Sequence, residues 1–271
     1  MLRVGVFGAG GRMGAAVCAA VRADPELELV AAVDPAYAGT PIPAAGRVAG
    51  PGPDALAEAG AEVAVDFTVA AAAAGNAAWC AAHGVHAVIG TTGLAAPVLA
   101  ELAQSFGAGP ANCVFAPNFA IGAVLMMRFA ELAAPWFETV EVVELHHDAK
   151  LDSPSGTALL TAQRIAAARG HHPIAGPVAG PVAGPVAGLG QGPGEGPARG
   201  LEGAPGVRVH SVRLRGLVAH QEVLFGTTGQ VLTLRHDSMD RSSFMPGVLI
   251  AIKAVPHRRG FTVGLDALLG L

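Results

Sequence analysis

Five short apolar runs, each closed by small or polar residues, punctuate the first half of the chain: Val4–Phe7, Leu27–Val33, 62–66, 85–89 and 113–115. Their Val, Ile and Ala content shows little alternation, which fits strands buried on both faces. Between them lie stretches of helix-forming composition, Ala15–Arg22, Ala70–Ala82 and Ala95–Phe106. Strand alternating with helix predicts a parallel, doubly wound sheet. Gly122–Ala133 continues as helix until Pro135. From Phe137 the period changes. Val-rich runs at 137–145, 207–215, 219–225 and 230–236, the last three without long helices between them, predict the sheet of a second, α+β domain. One face of that sheet is expected against a helix over 155–168, leaving the other to meet another subunit. A helix at Phe244–Ala254 and a strand at Phe261–Leu265 are expected to return to the first domain, which makes the second an insertion.

The turns carry the first chemical signal. Val4–Phe7 opens onto Gly8-Ala9-Gly10-Gly11-Arg12-Met13-Gly14, and helix follows. Strand, Gly-rich turn and helix is the setting of a Rossmann-like dinucleotide site, where backbone approaches a pyrophosphate held at a helix N-terminus. Met13 stands where the usual third glycine would be, so the spacing is a G-x-x-G-x-x-G variant. The second strand ends in Asp34, roughly twenty residues past Gly14, where a carboxylate for the ribose hydroxyls belongs. Three further strand ends lead into Phe67-Thr68, Gly90-Thr91-Thr92-Gly93 and Ala116-Pro117-Asn118-Phe119, all expected along the ligand crevice of such a sheet. Small residues there let the backbone line a nicotinamide and ribose closely.

The second signal is Glu144-Leu-His146-His147-Asp-Ala-Lys150-Leu-Asp-Ser153-Pro154-Ser155-Gly156-Thr157-Ala158. Two histidines at a strand end offer imidazoles that can give or take a proton, and Lys150 adds a fixed cation. Ser153 as N-cap with Pro154 at the first helical position would leave the N–H groups of Ser155, Gly156 and Thr157 free for a carboxylate or phosphate. Gly156 would let that ligand approach the backbone closely. No metal is expected: Lys150 would repel a divalent cation, and no His-x-x-x-His or Cys pair completes a ligand set.

Composition narrows the partners. The 271 residues are 52% hydrophobic and 14% charged, with a formal net charge of −4 and no dense Lys/Arg run, which argues against nucleic acid. Arg213, Arg215, Arg235 and Arg241 fall within one segment and would suit a small acidic ligand. Cys18, Cys80 and Cys113 are widely spaced and odd in number, as reduced thiols of a cytosolic protein would be. No signal-peptide pattern opens the chain, and no apolar stretch is long enough to predict a membrane span. Gly176–Gly188 is a perfect four-residue Gly-Pro-Val-Ala repeat. It cannot be collagen-like, which needs Gly every third residue, and 170–206 is expected as a flexible loop without chemistry except near its ends.

Taken together, these motifs resemble the 4-hydroxy-tetrahydrodipicolinate reductase family, the dihydrodipicolinate reductases of lysine and diaminopimelate biosynthesis. Gly8–Gly14, Asp66-Phe67-Thr68, Gly90–Gly93, Ala116–Phe119 and Glu144–Thr157 match its motifs in its order, over essentially the whole chain. The resemblance implies reduction by NADH and/or NADPH in a cytoplasmic homotetramer built through the second domain's sheet. The domains would be 1–118 with 242–271 for the dinucleotide, and 119–241 for substrate binding and tetramerisation. His146 would be the acid/base residue and Lys150 a second proton donor, with His147, Gly156 and Thr157 on the substrate carboxylates. Gly8 to Met13, Asp34, Gly90 to Thr92 and Ala116 to Phe119 would line the cofactor. Two other readings stay open: another Rossmann-type reductase of the aspartate family, and a non-catalytic dinucleotide-sensing protein.

Overall fold

A computed structural model of the chain describes residues 1–170 and 200–271; the Gly176–Gly188 repeat lies outside the described residues. The chain divides into two compact units, Met1–Ile121 with Arg241–Leu271, and Gly122–Asp240.

In chain order the elements are β1 (Leu2–Phe7), α1 (Arg12–Ala23), β2 (Leu27–Val33), a small hairpin of β3 (Pro41–Ile42) and β4 (Arg47–Val48), α2 (Asp54–Glu58), β5 (Val63–Asp66), α3 (Ala70–His83), β6 (His86–Ile89), α4 (Ala96–Ala108), β7 (Cys113–Phe115) and α5 (Ile121–Ala133). They continue as β8 (Thr139–His146), α6 (Gly156–Arg169), β9 (Leu201–Ala204), β10 (Val207–Arg213), β11 (Ala219–Thr227), β12 (Gln230–Ser238), α7 (Met245–Ala254), β13 (Phe261–Val263) and α8 (Asp266–Leu269).

The first unit holds a six-stranded parallel sheet in the order β13-β7-β6-β5-β1-β2. The order reverses beside β1, the topological switch at which such sheets bind ligands. Val63, Val65, Val88 and Val114 are wholly buried, as strands covered on both faces require. The last strand pairs with β7 and completes this sheet. Cys18, Cys80 and Cys113 are free and buried, and burial pushes the Cys18 and Cys80 thiols up to about 12. They behave as small core side chains.

The second unit is a mixed five-stranded sheet in the order β12-β11-β8-β10-β9. β8 and β10 run parallel; the other pairs are antiparallel. Val140, Val142, Val207, Val209, Val223 and Phe225 point to one face and pack on Ala158, Ala162 and Ile165 of α6. This is the face-on-helix packing that the alternating pattern predicts. The strand β9 and the β3–β4 hairpin add edges that the hydrophobic pattern does not reveal, because they are two to four residues long and largely exposed.

Two glycines in helices make opposite predictions. A Cβ on Gly14 would stand 2.0 Å from the Gly8 carbonyl oxygen, whereas one on the exposed Gly75, mid-way along α3, would meet nothing within 4 Å. Gly14→Ala is expected to cost about 3 kcal/mol or more by forcing α1 off its turn. Gly75→Ala should stabilise by about 0.5–1 kcal/mol by restricting the unfolded chain. Urea unfolding midpoints of the two variants check both signs.

Candidate functional site

The chemistry-bearing residues form two sets, one in each unit. In the first, Gly8 takes φ +68°, which turns the chain sharply from β1 into α1. Its carbonyl accepts from the Gly11 N–H at 2.9 Å, and Gly14 lies tight against it. The start of α1 has no acidic residue in its first turn and carries the exposed Arg12 there, with Met13 half-buried and Ala9 buried. A cation at that end of a helix adds to the positive potential of the dipole rather than cancelling it, which suits an anionic ligand. Asp34 closes β2 nine-tenths buried; its carboxylate accepts from the Gly10 N–H at 3.0 Å and the Ala36 N–H at 3.1 Å. Tyr37, half-exposed, covers Gly10 so closely that a Cβ there would meet its ring at 2.3 Å. The Gly-rich turn and the ribose-type carboxylate are therefore joined, and sequence spacing gave no sign of Tyr37.

The other three turns are gathered by Asp66. This carboxylate, 3% exposed, accepts from the Thr68 N–H (2.9 Å), the Thr68 hydroxyl (2.7 Å), the Thr91 hydroxyl (2.8 Å) and the Asn76 amide (2.8 Å). Phe67 lies over Gly90, where a Cβ would meet its ring at 2.1 Å, and it packs on Phe119 with ring centroids 5.6 Å apart. Ala116 donates to the Ile89 carbonyl, and Asn118 accepts from the Ala120 N–H. Thus Phe67, Thr68, Gly90, Thr91 and Phe119 meet at the carboxyl ends of β5, β6 and β7, with Thr92, Ala116, Pro117 and Asn118 on the same turns. Gly8, whose Cβ position lies 3.0 Å from the Thr68 methyl, ties this group to the Gly-rich turn. The backbone cradle that a side chain would fill fits a dinucleotide.

In the second unit, Glu144 and His146 share the inward parity of β8 with Val140 and Val142. Glu144 is wholly buried. Its carboxylate accepts from both terminal nitrogens of Arg213 (2.8 and 2.9 Å), from His146 Nδ1 (2.5 Å) and from the Ser155 N–H (3.2 Å). Burial alone would raise its pKa, but the hydrogen bonds from His146 and Arg213 prevail and hold it down at about 2. His146, at the strand end, has a side chain 15% exposed. Lys150 donates from Nζ to Asp152 at 2.7 Å, and the Asp152 carbonyl accepts from Arg213 at 2.6 Å. His147, half-buried, begins the turn in which the Lys150 N–H donates to its carbonyl.

The helix start differs from expectation. Ser155, not Ser153, is the N-cap: its hydroxyl accepts from the Ala158 N–H at 3.2 Å, and Pro154 lies outside α6. The Ser155 N–H is taken by Glu144, so Gly156 and Thr157 open the helix, with nothing within 4 Å of a Cβ on Gly156. Three arginines of the segment are held in ion pairs. Arg213 binds Glu144, Arg215 binds Asp148, and Arg235 binds Glu222 and Asp237, each within the second unit.

Glu144 also makes stability depend on acid. Its folded pKa lies below the ordinary value of 4.5, so its contribution is present above that pH and is lost as pH falls toward 2. The loss is on the order of 3 kcal/mol at 1.36 kcal/mol per unit. Urea unfolding at stepped pH should show that drop in the unaltered chain and a shallower one in Glu144→Gln.

Both halves of the chain match known family models: dihydrodipicolinate reductase, N-terminus, over residues 2–119, and dihydrodipicolinate reductase, C-terminus, over residues 122–269. The chain is 51% identical over 273 residues to the 4-hydroxy-tetrahydrodipicolinate reductase of Nocardia farcinica (strain IFM 10152), spanning 100% of this chain and 99% of that protein. It is 50% identical over 273 residues to the enzyme of that name from Streptomyces coelicolor, spanning 100% and 98%. The solved structure of a dipicolinate-bound dihydrodipicolinate reductase from Paenisporosarcina sp. TG-14 matches with a TM-score of 0.80 at 38% identity, over 98% of this chain and 99% of that one. An amine dehydrogenase from Mycobacterium smegmatis, at 14% identity and a TM-score of 0.61 over 98% and 95%, shares the fold alone. With two such family models covering nearly its whole length, and relatives at half identity end to end, the chain belongs to the dihydrodipicolinate reductase family.

Proposed function

We infer that the chain reduces 4-hydroxy-tetrahydrodipicolinate to tetrahydrodipicolinate with NADH or NADPH, in lysine and diaminopimelate biosynthesis. The observation that carries this at the level of residues is the single strand–loop–helix that brings His146, Lys150 and the Gly156–Thr157 helix start onto one segment. The other aspartate-family reductase and the dinucleotide sensor are not favoured, since both halves of the chain match the reductase models.

A bound dinucleotide supplies hydride to the ring of the substrate. Gly8 to Met13 fit its pyrophosphate, Asp34 the adenosine ribose, and Phe67, Thr68, Gly90 to Thr92 and Ala116 to Phe119 its nicotinamide half. On the substrate side, the N–H groups of Gly156 and Thr157, with Ser155 as their cap, receive one carboxylate, and His147 helps to hold it. The Lys150 ammonium has three N–H bonds, of which Asp152 takes one, so it can also hold a carboxylate and steady charge as it develops. His146 gives the proton that the reduced ring needs on carbon, with Lys150 as second donor. A cytoplasmic homotetramer assembled through the second sheet is part of this reading. Buried free thiols support the compartment, and the sheet face opposite α6, which carries the exposed Val231, supports the assembly.

Cofactor choice should follow Asp34. A carboxylate accepts ribose hydroxyls and repels a 2′-phosphate, and Pro35 follows where an arginine would be needed to neutralise it. NADH is expected to be used at least as well as NADPH in steady-state kinetics, and a strong NADPH preference would count against the assignment.

The substrate residues should separate by kinetic constant. His146→Gln is expected to lower kcat by about 10²–10⁴-fold, the usual worth of a positioned acid. Lys150→Ala should lower kcat and raise KM, and His147→Gln should act mainly on KM. Because the cofactor turns belong to the other unit, all three should leave the NADH dissociation constant nearly unchanged. A His146→Gln enzyme with unaltered kcat, or one that chiefly loses NADH, would overturn the role given to His146.

A further inference from the structure

We propose that Glu144 is a positioning residue for His146: its carboxylate, clamped by Arg213 and by the start of α6, grips the imidazole at Nδ1 and so assigns proton transfer to Nε2. The inference rests on His146 being the proton donor and says how that donor is prepared.

The geometry leaves the carboxylate no other state. It is 0% exposed, and its partners besides His146 are the Arg213 guanidinium and the backbone N–H of Ser155, groups that donate and do not accept, together with the Ser211 hydroxyl. A carboxylate surrounded by such donors stays an acceptor, so the hydrogen between it and His146 belongs to Nδ1. A neutral imidazole carries one hydrogen, which leaves Nε2 with the lone pair. Among the described residues no hydrogen bond takes that nitrogen. The adjacent anion also stabilises the ring while it holds the proton to be delivered.

Two comparisons within the chain separate this arrangement from an ordinary buried ion pair. Asp66 is also a buried carboxylate with a full set of donors, but those are hydroxyl, amide and backbone groups and none titrates near neutral pH. The His220–Asp237 pair has the same carboxylate contact at Nδ1, 2.6 Å, but there the other ring nitrogen accepts from the Val218 N–H at 3.2 Å and is closed to a ligand. Only for His146, among these, is the first nitrogen fixed and the second left open at a strand end. Arg213 completes the clamp from β10, where its position pairs with His146 across the parallel register.

The test uses the full-length enzyme with the dicarboxylate produced by the upstream synthase. Glu144→Gln is expected to lower kcat on the order of 10²-fold or more, with substrate KM and the NADH dissociation constant within a few-fold of the unaltered enzyme. Glu144→Asp, which keeps the charge, should restore part of the loss. On a His146→Gln background, Glu144→Gln should cost nothing further, because both changes remove one function. In the unaltered protein, imidazole ¹⁵N NMR, assigned through His146→Gln, should show the neutral ring protonated at Nδ1. That spectrum decides the matter even if the Glu144 variants do not fold. The inference is overturned by a ring protonated at Nε2, by Glu144→Gln retaining full kcat while His146→Gln is impaired, or by losses that multiply in the double variant. If His146→Gln itself retains full kcat, the failure lies in the role given to His146, which removes the ground for the inference as well.

Discussion

A wholly buried carboxylate must have its charge met by hydrogen bonds, and the second unit is arranged around that requirement at Glu144. The residue points from β8 into the face that β8 and β10 present to α6, among valines and alanines where an unpaired charge would cost several kcal/mol. The donors that answer it come from three elements: Arg213 and Ser211 from β10, the Ser155 N–H from the entrance to α6, His146 from β8 itself. One charge therefore sets the relative positions of a strand end, its neighbour and a helix start. Those are the parts that must be held still if an imidazole and two helix N–H groups are to meet one ligand.

The first unit solves its positioning problem in the same way, with different donors. Asp66 ends the central β5 and collects hydroxyl, amide and backbone N–H groups from its own turn, from α3 and from the turn after β6. Apolar packing of the sheet fixes the strands, but it cannot fix turns of small polar residues that have little surface to bury. A hydrogen-bonded hub can. Around it the backbone approaches closely because a side chain is absent, with Gly90 admitting the Phe67 ring, as Gly10 admits the Tyr37 ring beside Asp34.

Much of this was legible from sequence where the signal is long or periodic. The strands of the first sheet, the alternation with helices and the change of period near Phe137 reflect burial over many residues, and such patterns survive tertiary detail. Shorter features did not. Ser153 and Ser155 are both good N-caps, and a local rule cannot choose between them. The choice is made by Glu144, eleven residues back, which accepts the Ser155 N–H and so sets where α6 begins. The arginines between 213 and 241 read as suited to a small acidic ligand; sequence did not show that each of the three in the second unit also faces a carboxylate of that unit, a pairing that depends on strand register. Glu144 itself was visible in principle: positions 140, 142, 144 and 146 share one face, and a glutamate on an apolar face calls for a partner. What sequence lacked was the parallel pairing that brings Arg213 beside it.

On the function proposed above, the pairing also explains how a dicarboxylate could be received with little net charge. Arg213 is cancelled by Glu144, and Lys150 shares its ammonium with Asp152, whose carboxyl burial would raise but Lys150 holds below its usual value. The opposite choice, several unpaired cations in one cleft, would repel one another and strain the fold before any ligand arrived. In the function proposed above, the attraction is instead local and directional: N–H groups at a helix start, the remaining donors of one ammonium, and imidazoles whose charge follows the proton. Backbone N–H groups keep their dipoles at every pH and cost no reorganisation when a ligand docks. On the function proposed above, the buried pair holds the frame, and the groups that would meet the substrate are set around it.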